Sequence, residues 1–281
     1  LISPGAFINE HQLTFWFSTP STPAMAIRYG LLKPGAYPSL RWSLFCGEAL
    51  PQTTAAAWSR AAPNSAMENL YGPTEATIAI TAYPWRETDT EGPIVPIGLP
   101  FPGQSAIVVD GALAPLIKGR TGELLVSGSQ VTPGYWREPE LTADRYIKLK
   151  DSTKRWYRTG DLVHFDKTRG FMFHGRKDHQ IKVLGHRVEL LEIEAVLRAL
   201  TGSGPAVALG WPQTASGADG IIAFVANGPI GEDQLKEACA RRLPNIMVPR
   251  EIRSLDKFPM TASGKIDRLA LLQLCGKRAG Q

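Results

Sequence analysis

Asn69-Leu70-Tyr71-Gly72-Pro73-Thr74-Glu75 is the most informative stretch of this 281-residue chain. Gly-Pro enforces a turn, so the Tyr71 ring, the Thr74 hydroxyl and the Glu75 carboxylate can face one small volume. That trio suits a purine, a phosphate and a divalent cation. The same residues also read as an ordinary turn whose Thr caps a following helix.

The flanks of this turn carry the texture of an α/β fold. Upstream, Leu13 to Ser18 is a short apolar, aromatic run suited to a buried strand and closed by Pro20 and Pro23. Ser43 to Cys46 is a second such run, and Thr53 to Ala62 is Ala-rich and helical until Pro63 stops it. Strands separated by helical stretches predict a mainly parallel sheet. Downstream, from about residue 82 to residue 175, short alternating runs such as Ala106 to Val109 and Glu123 to Val126 are separated by Gly and Pro turns. This is the pattern of a compact β-subdomain or barrel.

A third texture follows Gly175. Ile193, Val196, Leu197 and Leu200 form the stripe of an amphipathic helix over Glu189 to Leu200. Two strand-like runs, Ala206 to Gly210 and Ile221 to Ala226, precede a second helix over Glu232 to Leu243, with Pro244 just beyond. This order predicts a small α+β domain over residues 178–281, behind a larger α/β and β-rich region over residues 1–177.

Composition narrows the function classes. No apolar run approaches the roughly 20 residues of a membrane helix, so membrane insertion is not expected. The start has no signal-peptide pattern, and a first residue other than Met fits a truncated chain. Cys46, Cys239 and Cys275 offer neither a disulfide framework nor zinc-ligand spacing, which points to a reducing cytoplasm. The five histidines match no metal-ligand pattern. The net charge of +5 is distributed without a basic, aromatic-interleaved block, so solvated surface charge explains it better than a nucleic-acid partner.

Further blocks carry chemistry. Tyr157-Arg158-Thr159-Gly160-Asp161-Leu162 sets an Asp after a Gly turn, where a carboxylate can accept two ribose hydroxyls. Gly175-Arg176-Lys177-Asp178 follows, with Gln180, Lys182 and Gly185 behind it. Near the end, Pro259 to Arg268 includes Ser263-Gly264-Lys265. A Lys on such a loop is usually solvated, but one entering a polyanionic site could neutralise charge on a transferring phosphoryl group.

In this order the blocks resemble the adenylate-forming superfamily of acyl-CoA synthetases, luciferases and peptide-synthetase adenylation domains. Glu123-Leu124 through Gly128, then Gly134-Tyr135, resembles a further motif of that superfamily, with Thr132-Pro133 replacing its usual Ala-Arg. Within it the match looks closest to the D-alanine–carrier protein ligases, through Phe15 to Ser21 and Phe45-Cys46-Gly47-Glu48-Ala49-Leu50-Pro51. The resemblance makes residues 1–177 the C-terminal portion of a large AMP-binding domain and 178–281 its small mobile partner.

The resemblance also implies roles. ATP and Mg²⁺ would be used to form an acyl-adenylate, and the acyl group would pass to the phosphopantetheine thiol of a carrier protein. Tyr71 would stack on adenine, with Asn69 and Gly72 beside it and Gly47, Glu48 and Ala49 as the opposite wall. Thr74 would contact the α-phosphate, Glu75 would hold Mg²⁺, Asp161 would bind the ribose and Arg176 ribose or phosphate. Cys46 would narrow the pocket to a small amino acid; read without the resemblance, it is a buried small hydrophobe. Lys265 would be catalytic, Asp178 the hinge, and Gln180, Lys182 and Gly185 the lining of the thiol tunnel.

Two departures limit the expectation. The superfamily's Thr/Ser/Gly-rich phosphate loop is missing upstream, and its aspartate for the substrate amino group would lie before Leu1. The chain thus corresponds to roughly the last half to three-fifths of such an enzyme, and alone it is expected to have little or no adenylation activity. Competing readings are an adenylation domain for another amino acid, an acyl-CoA synthetase, and a non-catalytic module that binds nucleotide or docks a carrier.

Overall fold

The computed structural model describes residues 4–89, 92–150, 152–177, 180–202, 204–214, 217–261 and 266–276. The chain divides into two compact units, Leu1–Asp178 and His179–Gln281.

The first unit opens with α1 (Pro4–Glu10), β1 (Phe15–Ser18), α2 (Ser21–Arg28), β2 (Trp42–Phe45), α3 (Gln52–Ala61) and β3 (Ala66–Tyr71). These strands pair in parallel, β1 with β2 and β2 with β3. The short β4 (Thr81–Pro84) and β5 (Leu99–Pro100) then extend the same sheet antiparallel, in the order β1-β2-β3-β4-β5. In α3 the buried residues Thr54, Ala55, Trp58 and Ala61 fall on one helical face. Trp58 is fully buried against Phe45, Tyr37 and Trp16, and its indole N–H donates to Ser43 Oγ at 2.9 Å. Burying a side chain of this kind contributes on the order of 1.5–3 kcal/mol.

The aromatic run at β1 departs from expectation. It forms a strand, but an edge strand, with Phe15 and Phe17 about half exposed. Its hydrophobicity resembled that of an interior strand, because composition does not reveal whether both faces are covered.

An antiparallel sheet completes this unit: β6 (Ser105–Val109), β7 (Gly122–Ser127), β9 (Arg155–Asp166) and β10 (Gly170–Arg176) run in the order β10-β9-β7-β6. The short β8 (Tyr146–Lys148) follows α4 (Pro139–Arg145) and pairs with β9. Strand β7 is buried along its whole length because Leu124 and Val126 enter one core while Leu125 joins Val109 and Trp156 on the other face. The β-rich texture starts near residue 82, yet β4 and β5 belong to the first sheet, so the second sheet begins only at Ser105.

The second unit begins with a hairpin of β11 (Gln180–Val183) and β12 (His186–Glu189). Its two turn residues, Leu184 and Gly185, both have positive φ, +48° and +86°, which matches the twist of a tight hairpin. Next come α5 (Leu190–Thr201), β13 (Ala206–Gly210), the short β14 (Gln213–Thr214) and β15 (Gly217–Ala218), β16 (Ile221–Ala226), α6 (Glu232–Ala240), β17 (Glu251–Leu255) and α7 (Arg268–Gly276). Alternate residues of β13 and β16 enter opposite cores. Ala206, Ala208, Ala223 and Val225 meet Ile193 and Leu197 of α5 and Leu235 of α6, while Val207, Leu209, Ile222 and Phe224 meet Leu271 of α7. Beyond the expected helix, strand, strand and helix, β17 adds a parallel partner for β16.

One charge cluster braces the antiparallel sheet. Glu123 on β7 is buried and accepts from Arg158 on β9 at 2.9 and 3.1 Å, with Lys177 Nζ at 3.5 Å. Burial alone would raise its carboxyl, but the two cations outweigh burial and hold it below its ordinary 4.5. Its contribution to stability is therefore present above that value and lost as pH falls through the depressed one. Acid titration of the fold is expected to show a shallower loss of stability in Glu123→Gln than in the parent, read from unfolding midpoints between pH 6 and pH 3.

Candidate functional site

The turn after β3 depends on a close backbone approach. A Cβ added at Gly72 would lie 2.7 Å from Ala79 Cα and 2.9 Å from Ile78 O, so glycine is required by contact and not by its φ. Residues Thr74–Ala76 form a single 3₁₀ turn preceded by Pro73, and Thr74 is exposed and makes no capping bond. The helix-cap reading of Thr74 is thereby corrected.

Beyond this turn, Thr77 and Ile78 have φ of +55° and +72°. Two consecutive β-branched residues in the left-handed region cost on the order of 1–3 kcal/mol each, so neighbouring contacts must hold them there. Gln130 provides two: its Nε2 donates to Ala79 O, and its carbonyl accepts from Thr77 Oγ1, both at 2.8 Å. Thr132 N donates to Glu75 O at 2.8 Å, and the Cys46 thiol donates to Ile78 O at 3.5 Å. Cys46, buried at the end of β2, thus touches the strained segment directly. Sequence reasoning missed this segment because β-branched residues argue against a left-handed backbone.

Two sequence-distant residues, Tyr71 and Arg176, converge on Asp161. This buried carboxylate accepts from the Tyr71 hydroxyl through Oδ2 and from Arg176 Nη1 through Oδ1, the latter at 2.6 Å. Arg176 Nη2 also donates to Thr159 O at 3.0 Å. Burial, then the Asp161 charge and hydrogen bond, push the Tyr71 phenol well above its usual range, so it stays a neutral donor. Gly160 has φ of +73°, but it does not make the expected turn: Asp161 lies in the middle of the twelve-residue β9. The residue sits where β7 and β9 slip register, and that irregularity aims its side chain.

Glu75 is buried and accepts from Tyr135 Oη at 2.6 Å. Tyr135 belongs to an aromatic cluster with Tyr146 and Tyr157, at centroid separations of 5.6 and 5.0 Å. Burial and the Glu75 bond raise the Tyr135 phenol strongly. Asn69, also buried, donates through Nδ2 to Val95 O and Pro96 O, while its Oδ1 has no partner among the described residues. Such an unmet acceptor costs on the order of 1–3 kcal/mol, which a donor could recover.

The remaining expected residues divide. Gly47 adopts φ of +96° next to Thr19, Glu48 Oε2 accepts from Ser21 N at 2.7 Å at the start of α2, and Ala49 is half-buried. Glu48 thereby satisfies an N-terminal donor of α2, a role that the sequence did not signal. In the second unit Gln180 is buried and donates to Glu189 across the hairpin, Lys182 faces Arg187 in register, and Gly185 is in the turn. Asp178 and Lys265 lie outside the described residues. Downstream of Lys265, Arg268 donates to Ala208 O at 3.0 Å and to the buried Glu194, which also accepts from Ala208 N at 3.0 Å. Sequence reasoning gave Glu194 no role. Among the described residues no three His, Cys, Asp or Glu are grouped to hold a metal. A lone buried carboxylate such as Glu75 does match Mg²⁺, which takes one or two protein carboxylates together with phosphate oxygens.

The chain matches the family described as AMP-binding enzyme over residues 3–136 and that described as AMP-binding enzyme C-terminal domain over residues 192–265. It is 37% identical over 246 residues to novobiocin biosynthesis protein H of Streptomyces niveus, covering 85% of this chain and 40% of that protein. It is 38% identical over 277 residues to an L-proline–[L-prolyl-carrier protein] ligase of Streptomyces coelicolor, covering 92% of this chain and 49% of that one. Among solved structures, the Vibrio cholerae adenylation domain AlmE in complex with glycyl-adenosine-5'-phosphate is similar at a TM-score of 0.89 and 33% identity, covering 98% of this chain and 52% of that one. The chain spans about half, or less, of the length of these relatives.

The backbone crossing at Gly72 is directly testable. Gly72→Ala forces a methyl group into Ala79 and the Ile78 carbonyl and is expected to destabilise the first unit by about 1–3 kcal/mol. Chemical denaturation should show this loss, and Ala79→Gly should restore little of it, since the overlap is with backbone.

Proposed function

This chain belongs to the AMP-binding enzyme family, and from that premise we propose that it is part of a ligase that adenylates a small amino acid and transfers it to a carrier protein. The observation that carries the reading is the convergence of Tyr71, Asp161 and Arg176, which unites an aromatic face, an anionic acceptor of hydroxyls and a cation. A ribonucleotide monophosphate needs that combination. The carrier step is supported by the similarity to a ligase named for a prolyl-carrier protein, and a small side chain by the glycyl-adenylate bound in AlmE.

In this reading the substrate carboxylate oxygen attacks the α-phosphorus of ATP. An O–P bond forms, the bond to the β-phosphate oxygen breaks, and pyrophosphate leaves with the electron pair. Tyr71 stacks on adenine and Asn69 lies at its edge, its orphan Oδ1 suited to an amino donor, while Gly47, Glu48 and Ala49 form the facing wall and Gly72 lets the backbone approach. Asp161 exchanges or shares its present partners with the ribose hydroxyls, having lone pairs for more than two donors. Arg176 pairs with Asp161 and reaches ribose or phosphate. Thr74, exposed next to Glu75, contacts the α-phosphate. Glu75 would hold Mg²⁺, which supplies neutralisation of the outer phosphates.

Lys265 offsets charge that builds between carboxylate and α-phosphate in the transition state. In the second step the carrier thiol, having lost its proton to solvent, attacks the acyl carbon, and the C–O bond to AMP breaks. Asp178 serves as hinge between the steps, and Gln180, Lys182 and Gly185 line the thiol's path. Cys46 and the Ile78 carbonyl it contacts narrow the space for the amino-acid side chain. A cytoplasmic setting supplies ATP and keeps Cys46 reduced.

Amino-acid-dependent ATP–pyrophosphate exchange tests this, measured on the chain within its complete natural polypeptide. The panel holds D-alanine, L-alanine, glycine, serine and proline. Exchange with one of these is expected, falling by about two to three powers of ten in Lys265→Ala. Exchange driven only by fatty or aryl acids would sink the amino-acid reading, and none with any carboxylate would sink adenylation itself.

A further inference from the structure

Away from Asp161, on the antiparallel sheet of the first unit, lies a pocket of about 240 Å³. The start of β6, the end of β7, the segment after it and the start of β9 supply its walls: Ser105, Ser127, Val131, Thr132, Lys154 and Arg155, with Gly103 and Gly128 at its margins. Ser105 and Ser127 are direct cross-strand partners, so both project from the same face of the sheet. No carboxylate among the described residues lines the pocket. Among the described residues neither Lys154 nor Arg155 has an acidic partner, although Arg158, three residues on, is paired with Glu123.

The polar groups are oriented for an acceptor. Lys154 Nζ donates to Ser105 Oγ at 2.7 Å, so the serine oxygen is occupied as acceptor and its proton is left to donate elsewhere. Arg155 lies 4.6 Å over the ring of Tyr146, and the Tyr146 hydroxyl is tied to Thr132 Oγ1 at 2.6 Å. The cation–π contact places the guanidinium over the ring, which accepts none of its N–H groups in its plane and leaves them for other acceptors. Ser127 is a buried residue, and its hydroxyl is not among the sealed, unpartnered polar atoms, so it opens to the pocket. Among the described residues, two cations without an acidic partner and two hydroxyl donors constitute an acceptor-seeking site. The volume lies below the roughly 300–1,000 Å³ of sites for drug-sized ligands, which suits a small oxyanion with a short substituent.

We propose that this pocket is a phosphate-binding site, with Arg155 gripping two phosphate oxygens and Lys154, Ser105 and Ser127 the remainder. A phosphate fits better than a carboxylate because its charge and number of acceptor oxygens match two cations and two hydroxyls. The site is independent of the adenylation reading and requires nothing from the Asp161 cluster. Its ligand is either free phosphate or the phosphate of an ester such as AMP or phosphopantetheine.

Isothermal titration of the chain with inorganic phosphate at low ionic strength is expected to reveal one saturable site, with acetate at least about tenfold weaker. Lys154→Gln with Arg155→Gln should weaken phosphate at least about 100-fold, since each charge-assisted contact is worth roughly tenfold. Both side chains are exposed, so the circular dichroism spectrum of that variant should match the parent. Ser105→Asp, which sets a carboxylate beside Lys154, should abolish binding. Titrations of the parent and of the double variant with AMP and with phosphopantetheine then identify the source: an ester that binds more tightly than free phosphate and loses that advantage in the double variant is the ligand, and otherwise free phosphate is. The proposal is overturned by no saturable binding or by an affinity that survives the double substitution.

Discussion

The buried carboxylate of Asp161 is the contact on which the first unit's arrangement depends. It accepts from the Tyr71 phenol at the end of β3 and from Arg176 at the end of β10, so one side chain joins the mostly parallel sheet to the antiparallel one. A buried charge is tolerated only when paired and hydrogen-bonded, and removing one partner of such a pair typically costs about 3–5 kcal/mol. Arg176 and Asp161 therefore constrain each other, and both constrain where the Tyr71 ring can lie. Chemistry assigned to any one of the three belongs to the set.

The second constraint is the crossing of backbone at Gly72. Close approach there forces Ile78 to Ile80 over the turn, and the strained Thr77–Ile78 step follows. Gln130 and Thr132 reach from beyond β7 to hold that step, and Cys46 reaches from β2. Strain of this kind persists only when its surroundings over-determine it. The segment adjoining Glu75 is thus rigid by construction, a useful property where a pocket must discriminate small side chains.

In the second unit, Glu194 performs a comparable service. Buried beneath α5, it receives Arg268 and the backbone of Ala208, with Arg198 3.6 Å away. Arg268 is the first residue of α7, so the helix that follows Lys265 in sequence is pinned to α5 and β13 at its start.

Much of this was legible in the sequence. The stripe Ile193, Val196, Leu197 and Leu200 announced α5, the runs at Ala206 and Ile221 announced β13 and β16, and the ordered blocks around Tyr71, Asp161 and Arg176 announced the family. These signals are local: periodicity and turn chemistry act within a few residues, and a motif keeps its order along the chain. What only the tertiary structure decided is non-local. The polar β17 is a strand because β16 offers it a ladder, and β1 is an edge because of its place in the sheet. Gly72 is required by a backbone seven residues away, and Glu48 serves a helix that begins 27 residues before it. Burial, pairing and close approach depend on which segments meet in space, and local sequence pattern does not encode that meeting.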